Sequence, residues 1–212
     1  RRPPANDALP RPRGAEPGPT GGREATILRT TSETALRLTL GLDGNGRTRV
    51  ETGIGFLDHL LTLLAFHAGF DLELAAAGDL DVDEHHLVED VHAALGAALA
   101  QALGAREGVA RYGSAVVPMD ESRATAAVDL VRRPHAEVSL AFGGDRVGSL
   151  AITLLRHALE RFAIEAGCTV HVESAGADDH HVAEAAYKAL GQALRLAVSA
   201  GGEGIRSTKG AA

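Results

Sequence analysis

Apolar and polar positions follow two rhythms along this chain, and both rhythms occur twice. Extended character begins at Ala25, and Leu36, Leu38 and Leu40 alternate with Arg37 and Thr39, the period-two pattern of a half-buried strand. Asp43-Gly44-Asn45-Gly46 supplies residues that tolerate positive φ and predicts a hairpin turn, with residues 48–52 as the return strand. Residues 54–67 then read as a helix, 70–75 as a strand and 86–103 as a long helix. In the second half, 114–119, 123–130 and 137–142 are strand candidates, followed by a helix over 149–165, a strand over 169–173 and a helix over 181–198. Strands clustered ahead of helices predict a layered α+β fold rather than an alternating parallel sheet.

The second half is a copy of the first. His85-His86-Leu87-Val88-Glu89 returns as His180-His181-Val182-Ala183-Glu184, and nine of the seventeen positions in 83–99 are identical in 178–194. Upstream, His59 and His157 each open a helical run that ends in an Ala-Gly pair (Ala68-Gly69, Ala166-Gly167), followed by a short strand pattern. Each half therefore reads helix, strand, turn, helix, with one His on the first helix and three candidate ligands on the second. Two copies of about 90 residues are an internal duplication rather than a solenoid. The resulting division is a disordered Pro-, Gly- and Arg-rich tail over 1–22, half-repeats over 23–107 and 108–200, and a Gly-rich tail over 201–212.

Composition changes this picture in three ways. With 45% apolar residues but 3% aromatics and no Trp, the core must be built from Ala, Leu and Val. A net charge of −7 argues against nucleic-acid binding, which needs a basic face. No apolar run approaches the roughly 20 residues of a membrane span. A lone Cys168 makes no internal disulfide, and no secretory apolar stretch stands near Arg1, so a reducing compartment, the cytoplasm, is expected.

The duplicated ligand set carries the chemistry. On a helix, residues i and i+4 share a face, so His85 points with Glu89 and His180 with Glu184. Adjacent residues diverge by about 100°, so His85 and His86 do not easily bind one ion, nor do His180 and His181. Each motif then offers one His to each of two metals, and His59 and His157 add one more to each site, giving three His and one Glu per ion. Imidazole mixed with carboxylate around an octahedral ion suits Mn²⁺ or Fe²⁺, whereas Zn²⁺ prefers fewer ligands, often with thiolate. His67, His92, His135 and His171 have no matched partner between the halves and read as ordinary. Arg111, Arg133, Lys188 and the Ser207/Lys209 pair are candidates for an anionic ligand such as phosphate, which Arg forks and Lys point charges suit. Lys188 lies at i+4 from Glu184 and so faces the proposed metal side. Glu33 sits at a strand edge within Arg29-Thr30-Thr31-Ser32-Glu33-Thr34.

These segments, together with Gly55-Phe56-Leu57-Asp58-His59, Gly78-Asp79-Leu80 running to His85-His86-Leu87-Val88-Glu89-Asp90, Arg111-Tyr112-Gly113, Pro118-Met119-Asp120-Glu121, Asp178-Asp179-His180-His181-Val182-Ala183-Glu184 and Ser207-Thr208-Lys209-Gly210, resemble the imidazoleglycerol-phosphate dehydratase family of histidine biosynthesis. The resemblance runs from about residue 25 to 210. It implies conversion of imidazole glycerol phosphate to imidazole acetol phosphate with two Mn²⁺ per active site. It implies metal ligands at His59, His85, His86, Glu89, His157, His180, His181 and Glu184, and substrate contacts at Glu33, His59, Arg111, Arg133, Lys188, Ser207 and Lys209. It further implies two similar halves, each a four-stranded sheet with two helices, the helices packed between the sheets, and assembly into a 24-mer with metal sites between subunits. Departures from the family pattern are Asp178 where Asn is usual, Val131-Arg132-Arg133-Pro134, Ser122-Arg123, Ala158-Leu159 after His157, and Arg206 before Ser207. None removes a proposed metal ligand, but the Arg132/Arg133 pair leaves two candidates for one phosphate contact.

The expected reaction passes through a metal-bound imidazolate that expels the neighbouring hydroxyl, with Glu33 or a metal-bound group moving protons, Glu184 at the metal, and the Arg and Lys groups holding phosphate. A metal-storage scaffold explains the His and Glu sets but not Glu33, Lys188 and the Ser-Thr-Lys tail. A two-metal phosphatase would lean on Asp rather than His.

Overall fold

The strand and helix patterns fold into two halves with one topology. The structure, a computed structural model, describes residues 22–204 and 207; the tail read over 1–22 lies outside the described residues except for Gly22, as do Arg206 and Lys209. The first half contains β1 (Glu24–Thr30), β2 (Thr34–Gly41), β3 (Thr48–Glu51), α1 (Gly55–Ala68), β4 (Asp71–Gly78) and α2 (His85–Leu103). The second contains β5 (Tyr112–Met119), β6 (Ser122–Asp129), β7 (His135–Ala141), the short strands β8 (Arg146–Val147) and β9 (Leu150–Ala151), α3 (Leu154–Ala166), β10 (Thr169–Ala175) and α4 (Asp179–Val198). The sheets run β1-β2-β4-β3 and β5-β6-β10-β7, so β7 and β10 repeat the places of β3 and β4. In each sheet the last pair is parallel and the others antiparallel.

Two local expectations change. The turn at 43–46 does not close a hairpin between β2 and β3, because β4 lies between them and pairs with both, β3 in parallel. The cause is a tertiary carboxylate. Asp71 Oδ1 accepts from the backbone N–H of Asn45 at 2.9 Å and of Arg47 at 3.0 Å, and Oδ2 receives the Arg47 guanidinium at 2.7 Å. The loop is thereby drawn across the start of β4, and turn propensity alone does not set the pairing. The helix expected from 149 begins at Leu154, because Leu150 and Ala151 pair back on Arg146 and Val147 as a small ribbon. Glu84 holds that ribbon, accepting from Ala151 N at 2.8 Å and pairing with Arg146.

The Ala-Gly pairs terminate helices as their chemistry requires. Gly69 (φ 73°) and Gly167 (φ 59°) take the left-handed conformation, and the next N–H reaches back five residues, Phe70 to Ala65 O at 2.9 Å and Cys168 to Ala163 O at 3.1 Å. The four helices form a layer between the two sheets, and they pair across the halves: α1 packs on α4 and α2 on α3. Small residues permit the approach. A Cβ on Gly96 would lie 2.4 Å from the carbonyl oxygen of Phe162, and one on Gly191 would lie 2.5 Å from that of Leu64. Gly96 and Gly191 occupy the same place in the repeat, as do Phe162 and Leu64. The core is mostly Ala, Leu and Val, with Phe70, Phe162 and Tyr187 its largest buried aromatics. Cys168 is buried and unpaired. Among the described residues, no helix is long and apolar enough to cross a membrane.

His92, read above as ordinary, occupies the same repeat position as Tyr187, and the two meet in the helix layer. His92 Nδ1–H donates to the Val88 carbonyl at 2.8 Å, and Nε2 accepts from the Tyr187 hydroxyl at 2.7 Å. Both side chains are buried and every polar atom of the pair is used. Burial pushes the imidazole down from the ordinary 6.5 to about 4.

Gly96→Ala and Gly191→Ala should each destabilise the fold by ~1–3 kcal/mol through forced separation of a helix pair, measured by urea unfolding. For His92 the folded chain holds the ring neutral while the unfolded chain protonates it, so its contribution is complete above pH 6.5 and is lost as pH falls toward about 4. His92→Gln keeps an acceptor for Tyr187 but does not titrate. It should flatten the fall in unfolding free energy across that window by up to about 3 kcal/mol relative to the parent.

Candidate metal centre

The two helix pairs bring the duplicated ligands together across the halves. His59 from α1 meets His180 and Glu184 from α4, and His157 from α3 meets His85 and Glu89 from α2. In each trio one ligand atom from every residue lies within 4.8 Å of the others. Sequence spacing placed one upstream His with each second-helix motif but left open which; the helix pairing assigns each to the motif of the opposite half.

In the first trio the Nε2 atoms of His59 and His180 both donate to Glu184 Oε1, at 2.6 and 2.9 Å. The other oxygen, Oε2, receives Lys188 Nζ at 2.5 Å. Burial pushes the Glu184 carboxyl up, but its bonds to Lys188, His59 and His180 outweigh that and hold it at about 2. Phe56 covers one side, its ring 4.8 Å from that of His180. In the second trio Glu89 Oε2 lies 3.6 Å from His85 Nε2 and 3.4 Å from His157 Nε2, while Oε1 faces Arg161 at 3.1 Å. A cation thus braces each carboxylate. Lys188 faces this side, as its i+4 spacing from Glu184 predicts; the duplicated pattern misses Arg161, whose i+4 spacing from His157 carries the same signal.

His86 and His181 stand outside both trios, as the divergence of adjacent helix positions requires. His86 faces Asp79, and His181 faces Glu121. Glu33 lies in the β1–β2 turn, exposed, with Oε2 3.8 Å from His86 Nδ1. The turn is tied by Thr31 Oγ1, which accepts from the N–H groups of Glu33 and Thr34.

The expected phosphate contacts are spread along the molecule. Lys188 adjoins the first trio. Arg111 opens β5 with φ 73°, stacks on Tyr112 and forms a two-bond pair with Asp129 at 2.7 and 3.1 Å. Its N–H bonds Ala197 O, more than three turns along α4 from Glu184, roughly 20 Å at the helical rise. Arg132 donates to the Gly104 carbonyl at 3.0 Å, whereas the exposed Arg133 side chain makes no ion pair among the described residues. Ser207 is half-buried, and Lys209 lies outside the described residues. A single chain therefore gathers the candidate metal-ligand trios but not Arg111 with them.

The donors suit a divalent cation. Each trio offers two imidazole nitrogens and an anionic oxygen, without thiolate, and leaves coordination positions open. Fold and site together define the class: a duplicated α+β protein with a candidate metal centre at each of two helix crossings between its halves.

Comparison with known proteins narrows the class. The family model for imidazoleglycerol-phosphate dehydratase matches residues 52–194. The chain is 51% identical over 193 residues to the imidazoleglycerol-phosphate dehydratase of Granulibacter bethesdensis, covering 89% of this chain and 98% of the relative. It is 46% identical over 188 residues to that of Methanococcoides burtonii, with the same coverage of each. Among solved structures, the Pyrococcus furiosus enzyme superposes with a TM-score of 0.76 at 34% identity, covering 88% of this chain and 100% of that one. The Staphylococcus aureus enzyme gives 0.75 at 31% identity, covering 84% and 99%. The chain belongs to the imidazoleglycerol-phosphate dehydratase family, and it is a dehydratase.

Glu184→Gln removes the anionic donor of one trio only. Divalent-ion capacity per chain should fall by half, read by metal analysis after equilibration with Mn²⁺. Loss of the partner of Lys188 should also weaken metal-free folding by ~1–3 kcal/mol.

Proposed function

We propose that this chain converts imidazole glycerol phosphate to imidazole acetol phosphate and water, a carbon–oxygen lyase step of histidine biosynthesis carried out in the cytoplasm with two Mn²⁺ per active site. The observation that carries the reading is the pair of crossed His, His, Glu trios. Bound there, Mn²⁺ would supply Lewis acidity to a substrate imidazole ring, easing loss of its N–H and departure of the neighbouring hydroxyl.

The protein's own groups have distinct tasks. Glu184 and Glu89 keep an anionic donor in each trio, braced by Lys188 and Arg161. Glu33, exposed on its turn, takes a carbon-bound proton from substrate and returns it as the enol becomes the ketone. Arg111, Arg133, Lys188, Ser207 and Lys209 hold the phosphate and fix the reacting carbon relative to Glu33.

Assembly belongs to the same reading. Each trio has three protein donors where three His and one Glu are expected, and His86 and His181 lie outside both trios. A second copy of the chain offering one of these His would complete the set, and Arg111 of a neighbour would reach a trio that its own chain does not. Large apolar side chains stand exposed on the outer strands, Leu28 on β1 and Val116 on β5, and Phe66 on α1. Those side chains are available to such contacts, and the assembly proposed is a 24-mer with active sites between subunits.

The test is turnover of imidazole glycerol phosphate by metal-stripped protein with and without Mn²⁺. Imidazole acetol phosphate should form only with the ion. No product from folded, Mn²⁺-loaded protein would overturn the reading, and release of inorganic phosphate would replace it with a phosphatase. Glu33→Gln should lower kcat by ~10²–10⁴-fold with metal content intact; unchanged turnover would remove Glu33 from the chemistry.

A further inference from the structure

His86 and His181 occupy one position of the repeat, and each is held through the same ring atom. His86 Nδ1 lies 3.3 Å from both Oδ1 and Oδ2 of Asp79. His181 Nδ1 lies 2.9 Å from Oε2 of Glu121. An ionised carboxylate only accepts, so Nδ1 carries the hydrogen in both rings, and in the neutral ring Nε2 keeps its lone pair. Metal-binding imidazoles are ordinarily set this way, with a carboxylate fixing tautomer and ring direction from behind. Glu121 is itself immobilised, its Oε1 accepting from Ser122 Oγ at 2.8 Å and Asp178 N at 3.0 Å. Asp120 stands 3.7 Å from His181 Nε2, too far for a hydrogen bond, and is exposed.

The two carboxylates come from different places. Asp79 follows β4 directly, whereas Glu121 sits in the β5–β6 turn. The topological counterpart of that turn is the β1–β2 turn, which carries Glu33. Glu33 also faces His86 Nδ1, but at 3.8 Å, because Asp79 stands closer. Each half thus has one carboxylate within bonding distance of its outer His and a second beyond it; Glu33 shares the Nδ1 side with Asp79, whereas Asp120 stands on the Nε2 side of His181.

We infer that Asp79 and Glu121 are positioning residues that aim Nε2 of His86 and His181 at metal ions held by trios of neighbouring copies, and that Asp79, by taking this task in the first half, leaves the Glu33 carboxylate to the substrate. This rests on the metal-dependent reading above.

The experiment titrates Mn²⁺ calorimetrically into metal-free, full-length protein, comparing the parent with Asp79→Asn, Glu121→Gln, His86→Ala and His181→Ala, and records metal-free melting for each. Both carboxylate variants should bind Mn²⁺ about 10–100-fold more weakly while melting with the parent. Affinity at the parent's value in these two variants, whatever their melting, overturns the inference. Should melting fall as well, nitrogen couplings at saturating Mn²⁺ decide: a weakened imidazole coupling supports positioning, and an unchanged set overturns it. If the His variants also bind like the parent, the metal reading of these residues fails; if only they lose affinity, the positioning role alone fails. At saturating Mn²⁺, Asp79→Asn should lose more kcat than Glu121→Gln, since Glu33 is then drawn to His86; equal loss overturns that part.

Discussion

Close approach of helices at two glycines is the constraint on which the rest depends. At Gly96 and Gly191 a missing Cβ lets α2 reach the backbone of α3 and α4 reach that of α1. Only at that separation do His157 and His59 come within ligand distance of Glu89 and Glu184. A core poor in aromatics follows from the same requirement. Small residues also seat α4 on its sheet, where a Cβ on Gly113 would meet the carbonyl oxygen of Ala193. Packing and chemistry are therefore one problem here, because the distance between helix axes sets the distance between ligands.

Charge is handled locally. Each trio carboxylate has a cation on its far oxygen, and each outer His has a carboxylate at its back. The candidate donors are thereby held in place, and a bound ion would take the place of the Nε2 hydrogens of His59 and His180. At the centre of the layer His92 and Tyr187 solve a different problem, that of a buried polar pair. Their single hydrogen bond, with the Val88 carbonyl, leaves no polar atom unsatisfied among apolar neighbours.

Much of this was legible in the sequence. The His, His, Glu motif and its upstream His repeat at fixed spacing, so the trios' six residues could be named without coordinates. The layered α+β class and the Gly69 and Gly167 helix ends follow from local pattern and turn chemistry. What could not be read is non-local. Which His joins which motif depends on helices crossing between halves, and no spacing encodes that. The 43–46 turn looked like a hairpin because its residues favour one, yet Asp71 overrides them from 26 residues beyond Asn45. Arg161 and Glu121 were visible as residues but gained roles only through what they touch. Tyr187 shares no residue type with His92, so identity-based matching of the halves passed over that pair.

The crossing of the trios bears on how such a chain could arise. A half-length protein of this topology would own the right residues and still hold no complete trio. It would gain two at once by pairing with its own copy about a two-fold axis, His59-type residues of each reaching the Glu184-type residues of the other. Fusion makes that dimer permanent and releases its halves from identity. The traces of that freedom are present: a Tyr opposite a His at the centre, an Asp doing on one side what a Glu does on the other, and a ribbon at 146–151 with no counterpart in the first half. Symmetry survives where an ion would need it and has lapsed elsewhere.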